Sequence, residues 1–303
     1  MNTYILNFKC IAFLILFFAG SSNQLFGQIN ANTTFNQHDS HVLESQINGI
    51  TYKLEVSLPL HYSADDTLRY PVLYILDGIV GFPIAHSERS AMDSTRRLED
   101  VIIVGIEYDV DRIIAQARTL ANRYKDFTIS NNPAMDNDPE RLNLFGLNEG
   151  DMSSGGASDF LDVLKNEILP FIDAEYKTTG DRGITGHSLG GLFVSYALFK
   201  APDLFSRYGI NSPSLWWGSG EIFNIEKSFS EQHQDLSAQV FLSVGSMEDE
   251  SMTSGMTAFA DSLNSRNYDG LKLTAHIFED EDHMSVIPAM ISRTLSVLYR
   301  ASN

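Results

Sequence analysis

Residues 182–193 read RGITGHSLGGLF, and their order decides how the rest of the chain is arranged. Arg182–Thr185 is short and extended in character, a glycine turn follows, and Leu192–Lys200 is an apolar helix. Gly186-His187-Ser188-Leu189-Gly190 matches G-x-S-x-G at the junction, a pattern that puts a serine on a sharp strand-to-helix turn with its hydroxyl above the sheet edge. Glycines at 186 and 190 remove side chains from that bend. The start of the next helix aims free N–H groups at whatever reacts with Ser188. The adjacent His187 points elsewhere on a tight turn and is read as packing or shaping the pocket.

Working outward, strands and helices alternate on both sides of this turn. Tyr70–Leu76 (YPVLYIL) and Val101–Ile106 (VIIVGI) are short apolar runs rich in β-branched residues, as strands buried on both faces require. Downstream, Tyr208–Asn211, Val240–Val244 and Leu271–Phe278 read as strands, with helices over Met252–Arg266 and Ile287–Tyr299. Ala157–Tyr176 has apolar residues at helical spacing, and Pro170 is expected to kink or break it. The alternating stretch from Ile50 to Pro59 adds a half-buried strand, residues 61–69 read as a turn, and these early hairpin-like strands give an antiparallel edge to a mostly parallel sheet with helices on both faces, an α/β fold. Residues 107–156, rich in Asp, Asn and Arg, read as a long surface excursion of the kind that forms lids.

A serine hydroxyl needs a base, and the base needs an orienting carboxylate. In this class of fold the chain order is Ser, then Asp or Glu, then His. Of the three histidines after Ser188, His233 lies in a polar stretch and His276 inside a strand. His283 sits in a loop beyond a strand end, where the base belongs. The acid is expected after Val240–Val244, where Glu248, Asp249 and Glu250 compete; Glu248 is the first choice and Asp249 the second. Two backbone N–H donors should hold an oxyanion, one from Leu189 and one from Gly78 or Ile79.

Together these segments resemble the "Putative esterase" family of α/β-hydrolases, in particular its siderophore (enterochelin) esterase-like branch. The likeness rests on YPVLYILDG (70–78), VIIVGIEY (101–108), RYKDFT (123–128), GGASDFLDVLKNEILPFIDAEYKT (155–178), RGITGHSLGGLF (182–193), NSPSLWW (211–217), VGSMEDE (244–250) and the loop around His283. The resemblance implies an α/β-hydrolase fold and a triad of Ser188, Glu248 and His283. It also implies a substrate cleft touched by Ser214, Leu215, Trp216 and Arg123, although Trp216-Trp217 can equally be core. The implied activity is hydrolysis of a small-molecule carboxylic ester through an acyl-enzyme; the motifs are specific to the family and not to a substrate, and likeness to that branch favours a siderophore trilactone. An ester of an acylated carbohydrate, another neutral ester, or acyl transfer to an alcohol would use the same residues.

Composition bounds these readings. The chain has 303 residues, 43% of them hydrophobic, and a formal net charge of −18. Such a surface repels nucleic acid and anionic lipid, and no basic cluster offsets it. H-E-x-x-H and G-x-x-x-x-G-K-[ST] are absent, so no metal or nucleotide cofactor is expected. Lys9 precedes the apolar run Ile11–Ala19, which is too short to span a bilayer comfortably. Residues 1–27 therefore read as a signal peptide, 28–40 as a polar lead-in and 41–303 as one domain of an exported, periplasmic or extracellular protein with no stable membrane span. Cys10, the single cysteine, lies in the leader, so the mature chain has no disulfide. Oligomeric state leaves no mark on the sequence.

Overall fold

The computed structural model describes residues 38–301 apart from 65–66, 94, 96 and 111–114. The leader and most of the lead-in lie outside the described residues. Among the described residues no helix is long and apolar enough to cross a membrane.

The elements follow one another as β1 (Asp39–Glu44), β2 (Thr51–Ser57), β3 (Tyr70–Leu76), α1 (Gly78–Asp93), β4 (Ile102–Tyr108), α2 (Ala115–Phe127), α3 (Pro133–Asp136), α4 (Pro139–Phe145), α5 (Ala157–Val163), α6 (Leu169–Glu175), β5 (Thr178–His187), α7 (Leu189–Lys200), β6 (Arg207–Asn211), α8 (Trp217–Ser230), β7 (Gln239–Gly245), α9 (Glu250–Arg266), β8 (Lys272–Phe278) and α10 (Ile287–Leu298). The strands form one eight-stranded sheet in the order β1-β2-β4-β3-β5-β6-β7-β8. Pairing is antiparallel for β1/β2 and β2/β4 and parallel from β4 onward. The predicted antiparallel edge is present, but it is built differently: β2 pairs with β1 and β4, not with β3 as a hairpin, and β3 pairs only in parallel. β1 escapes a hydrophobic reading because it is mostly exposed, as edge strands often are.

Strand β3 shows why the sheet is covered twice. Val72, Tyr74 and Leu76 enter one core, with α5, α6, α7, α8 and α9 packed over it. Leu73 and Ile75 point the other way into a smaller core closed by α1 and α10. The period-two alternation of side chains thus feeds both layers from one apolar run.

Three sequence expectations change. The stretch 107–156 contains three helices; α2 buries Ala121, Phe127 and the carboxylate of Asp126, and its largely polar composition is why it reads as loop. Pro170 does not break its helix. The backbone stays right-handed helical from α5 through a π-helical turn at Leu164–Ile168 into α6, and the π turn lies just before Pro170, where the regular ladder loses an N–H. The domain's first strand begins at Asp39, inside the predicted lead-in.

Candidate active site

The carboxyl ends of β3, β5, β6 and β7 converge, and the predicted residues meet there. Strand β5 ends at His187, α7 starts at Leu189, and Ser188 between them has φ 60° and ψ −118°. That left-handed φ is a strained value for a serine. The neighbourhood holds it: the Ser188 N–H donates to the Asn211 carbonyl (3.1 Å), and the Ser188 carbonyl accepts from Leu192 and Ser214 N–H groups, each at 3.0 Å. Gly186 is required because a Cβ there would lie 2.5 Å from the backbone of Gly190. Gly190 itself faces only ordinary contacts, so the tight approach is met at one of the two motif glycines.

His283 follows β8 in the turn before α10. Its Nε2 is 3.0 Å from Ser188 Oγ, and its Nδ1 is 2.6 Å from Glu248 Oε2. A carboxylate only accepts, so Nδ1–H donates to Glu248 and Nε2 is left to accept the Ser188 hydroxyl proton. The other Glu248 oxygen accepts from Ser212 Oγ at 2.5 Å and from the Gly245 N–H at 2.8 Å. The Glu248 side chain is 1% exposed. Burial alone would raise its pKa, but the hydrogen bonds from His283, Ser212 and Gly245 outweigh that and hold it below the ordinary carboxylate value. Asp249 caps α9 and Glu250 opens it, both exposed, where negative charge suits a helix N-terminus. His233 is exposed and stacked on Phe229, and His276 sits edge-on to Phe278; neither reaches Ser188.

His187 packs its ring 4.4 Å from that of His283. Burial, reinforced by the charges of His283 and Arg123, depresses its pKa to about 3, so it is a neutral wall of the site. Ser214 Oγ lies 3.3 Å from Ser188 Oγ. Leu215 is buried in the main core, and so is Trp217, whose indole N–H donates to the Ser130 carbonyl. Trp216 is 43% exposed and lies outside the lining of the cavity at Ser188. The tryptophan pair is therefore split between core and surface.

Helix α1 begins at Gly78, so the N–H groups of Gly78 and Ile79 have no acceptor within the helix, as at Leu189 in α7. Glycine at 78 serves packing: a Cβ would lie 2.9 Å from the Ile106 backbone nitrogen. Arg123 borders the cavity, but its guanidinium is engaged. Nε–H donates to Asp77 at 2.7 Å and 2.9 Å to the two oxygens, and Nη2–H donates to the His187 carbonyl at 3.0 Å. Sequence reasoning missed Asp77 and Ser212 as partners of the site: both lie in the family-like segments 70–78 and 211–217, but what they do there rests on contacts with residues distant in the chain. Among the described residues no group of three or more His, Cys, Asp or Glu could hold a metal.

A mostly parallel sheet carrying a strained serine at a strand–helix turn, with a histidine and a buried carboxylate aligned behind it, defines an α/β-hydrolase. Within that class the chain belongs to the "Putative esterase" family, whose model matches residues 45–283, and it is a carboxylic ester hydrolase. It is 30% identical over 282 residues to the siderophore triacetylfusarinine C esterase of Aspergillus fumigatus, covering 83% of this chain and 89% of the relative. It is 27% identical over 270 residues to the ferri-bacillibactin esterase BesA of Bacillus subtilis, covering 84% and 86%. Among solved structures, the BES protein of Bacillus cereus superposes with a TM-score of 0.73 at 28% identity, covering 87% of this chain and 96% of that one.

Proposed function

We propose that the protein hydrolyses its ester through an acyl-enzyme on Ser188, with His283 as base and acid and Glu248 as the orienting carboxylate. The observation that carries this is the unbroken relay from Ser188 Oγ through the His283 ring to Glu248, at 3.0 Å and 2.6 Å. As Oγ attacks the carbonyl carbon, its proton passes to His283 Nε2. The resulting imidazolium is held by ionised Glu248. The oxyanion takes N–H donors from Leu189 and from Gly78 or Ile79, all at helix starts where partial positive charge gathers. His283 then gives the proton to the leaving alkoxide, releasing the alcohol. Water, deprotonated by the same nitrogen, attacks the acyl carbon, and collapse returns Oγ–H and a carboxylic acid.

The names of the relatives point to a siderophore ester as substrate. Residues 1–27, with one lysine before a nine-residue apolar run, support export.

Incubation with a fluorophosphonate probe tests the nucleophile: labelling of the wild type that disappears in Ser188→Ala is expected, and a folded wild type that resists the probe would refute the acyl-enzyme. Product analysis with and without added alcohol should give free acid in both, whereas a dominant new ester would make the protein a transferase. Fractionating a bacterial host that expresses the full chain should find it outside the cytoplasm and shortened at the N-terminus; full-length protein in the cytoplasm would remove the export reading.

A further inference from the structure

Resting on the Ser188 reading above, we infer that the cavity beside Ser188 binds a neutral, apolar group of the ester and discriminates against a polyanionic substrate.

The cavity encloses about 720 Å³ between the starts of α1 and α10, helix α2 and the end of α4. Ser188 and His283 open into it. The wall is made mainly by Ile79, Val80, Leu120, Phe145, Met284 and Ile287. Ile79 is 63% exposed, Val80 46% and Met284 66%, so the mouth is ringed by large apolar side chains that face solvent. Exposed apolar surface gathered around a polar reaction centre is characteristic of a site that a ligand covers. Among the described residues the wall carries one cation, Arg123, and one anion, Asp77, and these two neutralise each other at 2.7 Å. Gln116 and Thr119 supply uncharged polarity. No described lysine or second arginine lines the cavity to offset the repulsion that a chain of net charge −18 exerts on an anion. An alkyl or aryl group of the ester fits this wall; a multiply charged iron–catecholate complex does not.

The test is a series of p-nitrophenyl esters with acyl chains from acetate to hexanoate, together with a hemisuccinate ester whose acyl group ends in a carboxylate. Each added methylene should raise kcat/KM by up to about fourfold until the cavity is filled. The gain from acetate to hexanoate should be at least tenfold, and the hemisuccinate should fall at least tenfold below butyrate. Val80→Lys, on the exposed rim of α1, should narrow the gap between hemisuccinate and butyrate without unfolding the protein. Natural sources are separated by comparing tributyrin, a neutral hydroxamate-siderophore ester and a ferric catecholate trilactone; preference for either neutral ester supports the inference. A flat chain-length profile, equal turnover of the hemisuccinate, or preference for the catecholate overturns it. Labelling of Ser188 by fluorophosphonate in that case leaves the hydrolase reading standing, whereas absence of labelling defeats both.

Discussion

Glu248 lies beside two other carboxylates in sequence, yet its surroundings set it apart. It accepts three hydrogen bonds, from His283, Ser212 and Gly245, while Asp249 and Glu250 face solvent at the start of α9. Glu248→Gln should therefore lower kcat by about 10²- to 10⁴-fold, as loss of the orienting acid does in serine hydrolases, and Asp249→Asn should stay within about twofold. Steady-state kinetics on one aryl ester decides, and the reverse ranking would move the acid to Asp249. The depressed pKa of Glu248 also carries a sign. Its ionised form is favoured by folding, so its contribution to stability is complete above the ordinary carboxylate pKa and fades as pH falls through its own lower value. His187 works in the same direction by a different route. It is neutral and buried when folded, with a pKa of about 3, but takes a proton near 6.5 when unfolded. Between those values it lowers stability by at most about 1.4 kcal/mol per pH unit. Melting curves of His187→Asn should lose stability less steeply than the wild type from pH 6.5 to 4; parallel curves would show that His187 titrates normally. At this scale Ser188 and His283 were legible, one from a motif and the other from its place after the last strand. Ser212 and Asp77 were not, since a partner 36 or 46 residues away in the chain leaves no local pattern.

Three elements meet at one guanidinium. Arg123 of α2 binds Asp77, which leads into α1, and the carbonyl of His187, which closes β5. Asp77 is itself held at φ 56°, a left-handed value that a side chain adopts when its surroundings compel it. The ion pair thus fixes the two helix starts, at Gly78 and Leu189, whose N–H groups are the proposed oxyanion donors. Arg123→Met should loosen their spacing and lower kcat about tenfold or more, with KM nearly unchanged, because the donors matter most in the transition state. Arg123→Lys should recover part of the loss, since an ammonium can pair with Asp77 but cannot reproduce the planar fork. A change confined to KM would return Arg123 to the substrate-contact role expected from the family. The position of α2 explains why this arrangement was hidden. Its largely polar sequence, within a stretch rich in Asp, Asn and Arg, reads as surface loop, and only three-dimensional packing reveals its inner face. The same holds for α8, whose first turn passes through left-handed geometry at Gly218–Gly220 and breaks the helical pattern. Strands β3, β4 and β7, by contrast, were legible because apolar runs buried on both faces leave a continuous signal, while β5 was placed by the motif at its end.

The whole molecule adds a long-range field to these local arrangements. A net charge of −18, read directly from the sequence, surrounds a cavity whose described charges cancel. An anionic ester must approach against that field, whereas a neutral one does not feel it. Salt separates the two cases, because the screening length falls from about 30 Å at 0.01 M to about 10 Å at 0.1 M and about 3 Å at 1 M. For the hemisuccinate ester, kcat/KM should rise severalfold between 10 mM and 500 mM NaCl as repulsion is screened. For the butyrate ester it should change by less than about twofold over the same range. The change should appear in kcat/KM and leave kcat little altered, since the field acts on encounter and binding before the chemical step. A kcat/KM for the anionic ester that falls with salt would show a local cation strong enough to reverse the field at the mouth. That outcome would contradict the apolar, charge-neutral cavity on which selection of a neutral ester depends.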